Sequence, residues 1–165
     1  MQPTDNTRGR RKPKVYLAGP LFSDAERTFN EMLTLTLEDL VDVYLPQRDG
    51  GLMSEMIHSG MSSDMAARRV FHGDIKAIHE ADYLIAILDG RAIDEGVAFE
   101  LGFAFSLSKR CVGIQTDSRR LASWGNNPMI TGALEQVFLS VEDLLLWIRR
   151  EMLDVALSYP LRTTA

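Results

Sequence analysis

The stretch that decides the fold is VYLAGPLFSDAE, residues 15–26. Its opening run, VYLA, is apolar and is followed by Gly19-Pro20, which is the pattern of a short buried strand ending in a turn. Ser23 and Glu26 then have the spacing of a capping box, which marks the start of a helix. A buried strand followed directly by a helix begins a β-α-β unit, so this segment predicts an α/β protein.

The same alternation of short apolar runs and helical patterns continues along the chain. Strands are predicted at residues 15–18, 41–45, 83–88, 111–115 and 137–139. Helices are predicted at 23–39, 52–80 (with a break near 59–60), 96–108 and from 140 onward. Because strands that alternate with helices pair in parallel through right-handed crossovers, we expect a flavodoxin- or Rossmann-like α/β fold. It would be a doubly wound sheet of about five parallel strands with helices on both faces.

Length and composition fit one folded domain. The chain has 165 residues, of which 45% are hydrophobic and 25% charged, as in ordinary globular proteins. Residues 1–14 contain several basic side chains and almost no apolar ones, so we predict a flexible N-terminal tail there. Residues 15–160 are predicted to form the single domain.

Several classes of site and partner are disfavoured. Net charge is −5 with no dense basic stretch in the body of the chain, which argues against nucleic acid as the main partner. No apolar run reaches transmembrane length and no secretory signal is apparent. We therefore expect a cytoplasmic location and no membrane partner. Cys111 is the single cysteine and the three histidines are scattered, so no metal is predicted. The glycine pattern of a nucleotide cofactor site is also missing, and no cofactor is predicted.

One helical segment has a single charged side chain. The run GVAFELGFAFSLS, residues 96–108, contains only Glu100 as an ionisable group, and Gly96 and Ala104 share its face of the helix. A carboxylate in apolar surroundings is costly unless it is paired, and the small neighbours leave room for a ligand. From this helix alone, a glutamate that simply points to solvent is an equally good interpretation.

Other polar residues gather where a ligand would bind. In parallel sheets, ligands bind beyond the carboxyl ends of the strands. Tyr16, Gln47, Asp94 and Asn127 lie in or near the loops at these ends, and Asp74 can reach them from a helix. Each also has a structural interpretation, since Asp94 fits a helix cap and Tyr16 a core tyrosine. The set together indicates a site with two or more carboxyl groups.

Three segments resemble the nucleoside 2-deoxyribosyltransferase family. They are VYLAGPLF (residues 15–22), GDIKAI (73–78) and DEGVAFELGFA (94–104), and the likeness extends over residues 15–133. The resemblance implies that Glu100 is the catalytic nucleophile and that Tyr16 holds it in position. It also implies that Asp74 and Asp94 are the acids around the base, one of which donates a proton to it.

The resemblance also implies the substrates and their contacts. The partners would be 2'-deoxyribonucleosides and free nucleobases, in a homo-oligomer whose sites are completed by a neighbouring subunit. Gln47 matches a residue that recognises the base, and Asn127 matches one offered by the neighbour to the sugar 5'-hydroxyl. The remaining residues assigned to substrate binding are Gly19, Phe22, Gly96 and Met129.

The residue types are suited to double displacement at the sugar C1' atom. A carboxylate attacks, the base leaves after protonation by a second carboxyl group, and another base intercepts the glycosyl ester. Two alternatives remain open. One is a hydrolase acting on 2'-deoxynucleoside 5'-monophosphates, with Arg48, Arg91 or Arg119 near the phosphate. The other is a nucleotide-binding module without catalysis.

Overall fold

The computed structural model describes residues 11–117 and 125–157. Within them, one sheet contains strands β1 (Lys14–Ala18), β2 (Asp42–Tyr44), β3 (Tyr83–Ile87), β4 (Arg110–Ile114) and β5 (Gln136–Phe138). The strand order is β2-β1-β3-β4-β5, and each neighbouring pair is parallel. The predicted doubly wound α/β fold is thereby confirmed, and every strand boundary lies within one residue of the predicted one.

The helices lie between the strands, as the alternating pattern predicts. They are α1 (Asp24–Leu37), α2 (Met53–His58), α3 (Ser63–Glu80), α4 (Glu95–Ser106), α5 (Pro128–Thr131) and α6 (Val141–Leu157). The gap between α2 and α3 corresponds to the predicted break. In the part of the chain that the structure describes, no helix combines the length and apolar character that crossing a membrane requires.

Two segments differ from the sequence prediction. The sequence predicts a polar loop at residues 47–51 after the second strand, whereas residues 46–50 form a π-helical turn that begins at Pro46. The polar loop after β4 contains the short helix α5, which starts at Pro128 behind the capping side chain of Asn127. Both are local features set by a proline at the first helical position, and neither has an amphipathic period that a sequence pattern reveals.

The two faces of the sheet have separate apolar cores. Alternate residues of a strand point to opposite faces. On β1, Val15 and Leu17 pack with α1 and α6, whereas Tyr16 and Ala18 pack with α3 and α4. This alternation directs the hydroxyl of Tyr16 toward the side of the sheet that carries α4.

The domain boundaries remain predictions. Strand β1 begins at Lys14, one residue inside the predicted tail, and Arg11 forms an ion pair with Asp82 at 3.0 Å. Residues 1–10 of the predicted tail and residues 158–160 of the predicted domain lie outside the described residues.

The π-helical turn closes the free edge of β2. Arg48 Nη2 donates to the carbonyl oxygen of Val43 at 2.8 Å, and Leu45 N donates to Asp49 Oδ2 at 2.8 Å. Arg48 also pairs with Glu38 at 2.6 Å. Two backbone groups at this edge, the carbonyl of Val43 and the amide of Leu45, are therefore bonded to side chains of the same chain.

The turn after β1 is packed without space for a side chain. A Cβ atom at Gly19 would lie 2.8 Å from Ile87 Cδ1 and 2.9 Å from Asn30 Oδ1. Asn30 is 2% exposed, and its Nδ2 donates to the carbonyl oxygen of Pro20 at 2.9 Å. Gly19 thus has a packing reason to be glycine, independent of its predicted contact with a ligand.

Replacing this glycine tests the packing. We expect Gly19→Ala to lower the free energy of unfolding by about 1–3 kcal/mol, since the added methyl group overlaps buried neighbours. Urea unfolding followed by circular dichroism measures the difference. Gly102→Ala is the matched control, because nothing lies within 4 Å of a Cβ atom there and alanine favours the helix. Equal stability of the two variants would show that the β1 turn is loosely packed.

Candidate active site

Glu100 and Tyr16 form the centre of the site. Tyr16 is fully buried in β1, with 0% of its surface exposed, and Glu100 lies in the second turn of α4. The Tyr16 hydroxyl donates to Glu100 Oε1 at 2.5 Å, across the face of the sheet. Since charge-assisted hydrogen bonds are short and strong, this contact fixes the carboxylate in one orientation. Two residues predicted from the sequence to act together are in direct contact.

The surroundings of Glu100 make its carboxyl group easy to protonate. Burial raises its pKa to about 8, against the opposing effect of the hydrogen bond from Tyr16. The charges of Asp74 and Asp94 add to the increase. The burial of Tyr16 and the charge of Glu100 raise the pKa of Tyr16 far above its usual range. Tyr16 therefore keeps its proton and remains a hydrogen-bond donor.

Asp74 provides a second carboxyl group. It lies on α3, partly buried, and burial raises its pKa to about 6. The Tyr44 hydroxyl donates to Asp74 Oδ1 at 3.4 Å and lowers that pKa. Asp74 acts electrostatically on Glu100 and Tyr16, so three of the predicted residues share one environment.

Tyr44 is a site residue that sequence reasoning missed. It lies opposite Tyr16 in the parallel register of β1 and β2, and the two rings stack with centroids 5.5 Å apart at 16°. The available signal was its position near the carboxyl end of the second strand, three residues before Gln47. An aromatic residue in a strand is usually part of the core, so the sequence alone did not distinguish it.

Asp94 is both a helix cap and a neighbour of the site. Its Oδ2 accepts hydrogen bonds from Gly96 N at 2.9 Å and Val97 N at 3.1 Å, at the start of α4. Its charge contributes to the raised pKa of Glu100. The structural interpretation considered from the sequence therefore holds for Asp94, together with proximity to the candidate nucleophile.

Gln47 is directed toward α1. Its Oε1 accepts from Asn30 Nδ2 at 3.0 Å, while its Nε2 donates to the Arg27 carbonyl at 3.1 Å and to Glu31 Oε1 at 3.1 Å. These bonds engage both ends of the amide within the chain. A contact between Gln47 and a base remains a prediction, and it would require the amide to exchange these partners.

The other predicted binding residues have varied surroundings. Gly96 lies at the start of α4, where its N–H group bonds to Asp94. Phe22 is 77% exposed and Met129 is 81% exposed. Asn127 Oδ1 accepts from Met129 N at 2.9 Å and so caps α5. Exposed side chains in loops at the carboxyl ends of the strands are compatible with a ligand or a neighbouring subunit, and these assignments stay predictions.

The arrangement is suited to chemistry that uses a pair of carboxyl groups. No group of three or more potential metal ligands was found among the described residues. Burial raises the pKa of both Glu100 and Asp74, and the charge of Asp74 raises that of Glu100 further, so the two values differ. Pairs of carboxyl groups whose surroundings separate their pKa values are typical of enzymes that make and break glycosidic bonds.

Comparison with known families agrees with this class. The sequence profile of the nucleoside 2-deoxyribosyltransferase family matches residues 15–145. The chain belongs to that family, as its sequence motifs predicted. Family membership indicates an enzyme that handles glycosyl groups. No match was found among curated proteins.

Solved structures share the fold over nearly their whole length. A conserved protein from Enterococcus faecalis V583 is 28% identical, with a TM-score of 0.71 over 85% of this chain and 99% of that one. A 2-deoxyribosyltransferase from Bacillus psychrosaccharolyticus is 25% identical, with a TM-score of 0.67 over 79% and 89%. A CMP N-glycosidase from Clostridium botulinum is 18% identical, with a TM-score of 0.52 over 82% and 98%, a likeness of fold alone.

Burial of Glu100 has a measurable effect on stability. Its pKa is about 8 in the folded chain against an ordinary 4.5, so the folded state binds the proton more tightly than the unfolded state. Stability is therefore lost as pH rises from 4.5 through about 8. Glu100→Gln cannot ionise, and we expect its Tm to exceed that of the wild type by a margin that grows over this interval.

Thermal unfolding across this pH interval measures the margin. Glu95→Gln is the control on the same helix, since Glu95 is exposed. Its Tm difference from wild type should stay flat or take the opposite sign, because an acid in the first turn favours the helix when ionised. A Glu100→Gln margin that does not change with pH would show that the Glu100 carboxylate is well solvated.

Proposed function

We propose that the protein is a nucleoside 2-deoxyribosyltransferase that exchanges nucleobases on 2'-deoxyribonucleosides. The observation that carries this proposal is the hydrogen bond from buried Tyr16 to Glu100, with Asp74 in the same environment. Membership of the deoxyribosyltransferase family and the likeness to the Bacillus psychrosaccharolyticus enzyme support it. The proposed mechanism is double displacement through a covalent deoxyribosyl-Glu100 intermediate.

In the first half-reaction, a carboxylate oxygen of Glu100 attacks C1' of the donor nucleoside. The C1'–N bond breaks and its electron pair goes to the base nitrogen, which takes a proton from a carboxyl group. The products are a free nucleobase and a deoxyribosyl ester of Glu100. Tyr16 holds the other carboxylate oxygen of Glu100, Oε1, by the hydrogen bond at 2.5 Å, which leaves Oε2 for the attack.

In the second half-reaction, a nitrogen of the acceptor base attacks C1' from the opposite side. The ester bond breaks, its electron pair returns to the Glu100 carboxylate, and the proton of the acceptor base passes to the ionised second carboxyl group. The enzyme returns to its starting protonation state. Two inversions at C1' give net retention, as in retaining glycosidases.

Asp74 is the better candidate for the group that carries this proton. Its pKa of about 6 lies near neutral pH, which is the property that a general acid and base requires. Asp94 already uses Oδ2 to bond two backbone N–H groups of α4. We therefore assign proton transfer to Asp74, and to Asp94 the placement of the helix that carries Glu100.

The remaining substrate contacts are part of the proposal. Base recognition by Gln47 and contact of Asn127 with the sugar 5'-hydroxyl across a subunit interface complete the site in a homo-oligomer. Support for Asn127 comes from its exposed position in front of α5. Gln47 lies in the π-helical turn that follows β2, the strand that carries Tyr44.

Hydrolysis of a nucleoside 5'-monophosphate is the competing activity, and the structure of the first loop weighs against it. A phosphate would use backbone N–H groups at the start of a helix. The N–H groups of Phe22 and Ser23 instead bond to the Glu26 carboxylate at 3.0 and 2.8 Å. That carboxylate occupies donors that a phosphate needs and repels its charge.

The arginines considered for a phosphate give it little support. Arg48 is paired with Glu38 and Asp49 and bonded to a backbone carbonyl. Arg91 is exposed, and Arg119 lies outside the described residues. An uncharged sugar 5'-hydroxyl suits the first loop better than a phosphate does.

Base exchange tests the proposed reaction directly. Deoxyinosine mixed with free adenine should yield deoxyadenosine and hypoxanthine, measured by liquid chromatography. Glu100→Ala should reduce the rate by about a thousandfold or more, since it removes the nucleophile. Glu95→Gln, an exposed acid one turn earlier on α4, should retain the wild-type rate. Undiminished exchange in Glu100→Ala would eliminate the covalent mechanism.

Substrate charge separates the two candidate activities. We expect kcat/KM for a 2'-deoxynucleoside to exceed that for its 5'-monophosphate, because Glu26 occupies the N–H groups of the first loop. Release of base from both substrates is measured in one assay with and without an acceptor base. A strong preference for the monophosphate, with water as acceptor, would replace the transferase assignment by the hydrolase. Tight binding of nucleosides without turnover would favour a binding module.

A further inference from the structure

Tyr44 occupies a rigid position beside the proposed active site. It pairs with Tyr16 in the parallel register of β1 and β2, and its ring stacks on that of Tyr16 with centroids 5.5 Å apart. The strand fixes the backbone and the stack fixes the ring plane. The direction of the Tyr44 hydroxyl is therefore set by the sheet.

The Tyr44 hydroxyl is a hydrogen-bond donor to Asp74, and both groups are closely surrounded. Tyr44 Oη lies 3.4 Å from Asp74 Oδ1. The π-helical turn lies close to both groups, since a Cβ atom at Gly50 would lie 3.1 Å from Tyr44 Oη and 3.2 Å from Asp74 Oδ1. A side chain at Gly50 would therefore require Tyr44 or Asp74 to shift by a few tenths of an ångström.

The site contains two tyrosine–carboxyl pairs side by side. Tyr16 donates to Glu100, and Tyr44 donates to Asp74. We propose that Tyr44 is a positioning residue that orients the Asp74 carboxyl group toward the departing base. This inference rests on the proposed function, in which Asp74 transfers the proton. The stacked rings of Tyr16 and Tyr44 then fix the positions of the Glu100 and Asp74 carboxyl groups relative to one another, although these two residues lie on different helices.

The charged groups around the pair determine the expected pH response. The charge of Asp74 acts on Glu100 of α4, and Tyr44 is exposed to the charges of Asp74, Glu100 and Asp49 of the π-helical turn. Burial raises the pKa of Asp74 to about 6, and the bond from Tyr44 opposes this. Loss of the Tyr44 hydroxyl should therefore raise the pKa of Asp74 further.

In the free enzyme, the carboxyl pair carries one proton between the two titrations, and this proton lies mainly on Glu100, so that the reactive form, with Glu100 ionised and the proton on Asp74, is the minor one. Below pH about 6 both groups are protonated and Glu100 is not a nucleophile, and above about 8 both are ionised and no proton is available for the base. A bell-shaped profile of kcat/KM follows. The acidic limb reports the lower titration of the pair, which Tyr44 influences.

Tyr44→Phe is the decisive variant, since it retains the ring stack and removes only the hydroxyl. We expect kcat for base exchange to fall about tenfold and the acidic limb of kcat/KM to move upward by about half a pH unit or more. Gly50→Ala, which requires Tyr44 or Asp74 to shift by a few tenths of an ångström, should also lower kcat. A variant that only loosens the packing would not shift the acidic limb of the kcat/KM profile.

Tyr83→Phe is the matched control. Tyr83 is a strand tyrosine on β3 whose hydroxyl accepts from Arg110 Nη1 at 3.3 Å and whose ring packs on Trp147, against the opposite face of the sheet. This variant should keep the wild-type kcat and both limbs. Equal limb shifts in Tyr83→Phe and Tyr44→Phe would overturn the inference, because the effect would then be general.

A measurement without substrate separates this inference from the proposed function. The carboxyl carbon resonance of Asp74, assigned with Asp74→Asn, can be titrated by NMR in wild type and Tyr44→Phe. An upward shift of the titration in Tyr44→Phe supports the positioning role even if the wild type exchanges no base, in which case only the proposed function fails. Unchanged titration, or unchanged kcat and limbs in an active enzyme, overturns it.

Discussion

The hydrogen bond between Tyr16 and Glu100 is the contact on which the rest of the site depends. A carboxylate placed in an apolar environment is strongly disfavoured unless a donor compensates for lost water. Tyr16 supplies that donor at 2.5 Å, and its own burial keeps the proton on the phenol. The remaining cost of burial appears as the raised pKa of Glu100. The site therefore holds a carboxyl group that is oriented and near its titration point at neutral pH.

This contact exists because of the geometry of the sheet. Neighbouring residues of β1 point to opposite faces, so that a single step in register would turn the Tyr16 hydroxyl away from α4. Val15 and Leu17 secure the register by packing against α1 and α6. The core on one face of the sheet thus fixes the functional group on the other, and the parallel partner strand adds Tyr44 at the same level.

Much of the fold and the centre of the site followed from the sequence, for identifiable reasons. The spacing of apolar residues differs between strands and helices, which made the order of the elements predictable. Glu100 could be singled out because it is the one charged side chain in the apolar run 96–108. Tyr44 was missed because its contact with Tyr16 depends on the long-range register of β1 and β2. Gln47 was placed correctly at the end of β2, but its direction depends on the π-helical turn, whose backbone has no sequence period. The contacts of Tyr44 and the orientation of Gln47 both depend on tertiary structure, which the local sequence pattern does not specify.

The π-helical turn covers part of the sheet edge at β2, and this affects how copies of the chain associate at high concentration. An open strand border offers a row of unpaired amides and carbonyls on which other chains can assemble. Here Arg48 and Asp49 saturate the carbonyl of Val43 and the amide of Leu45. The turn whose Gly50 lies beside Tyr44 and Asp74 therefore also hinders strand-to-strand association at β2.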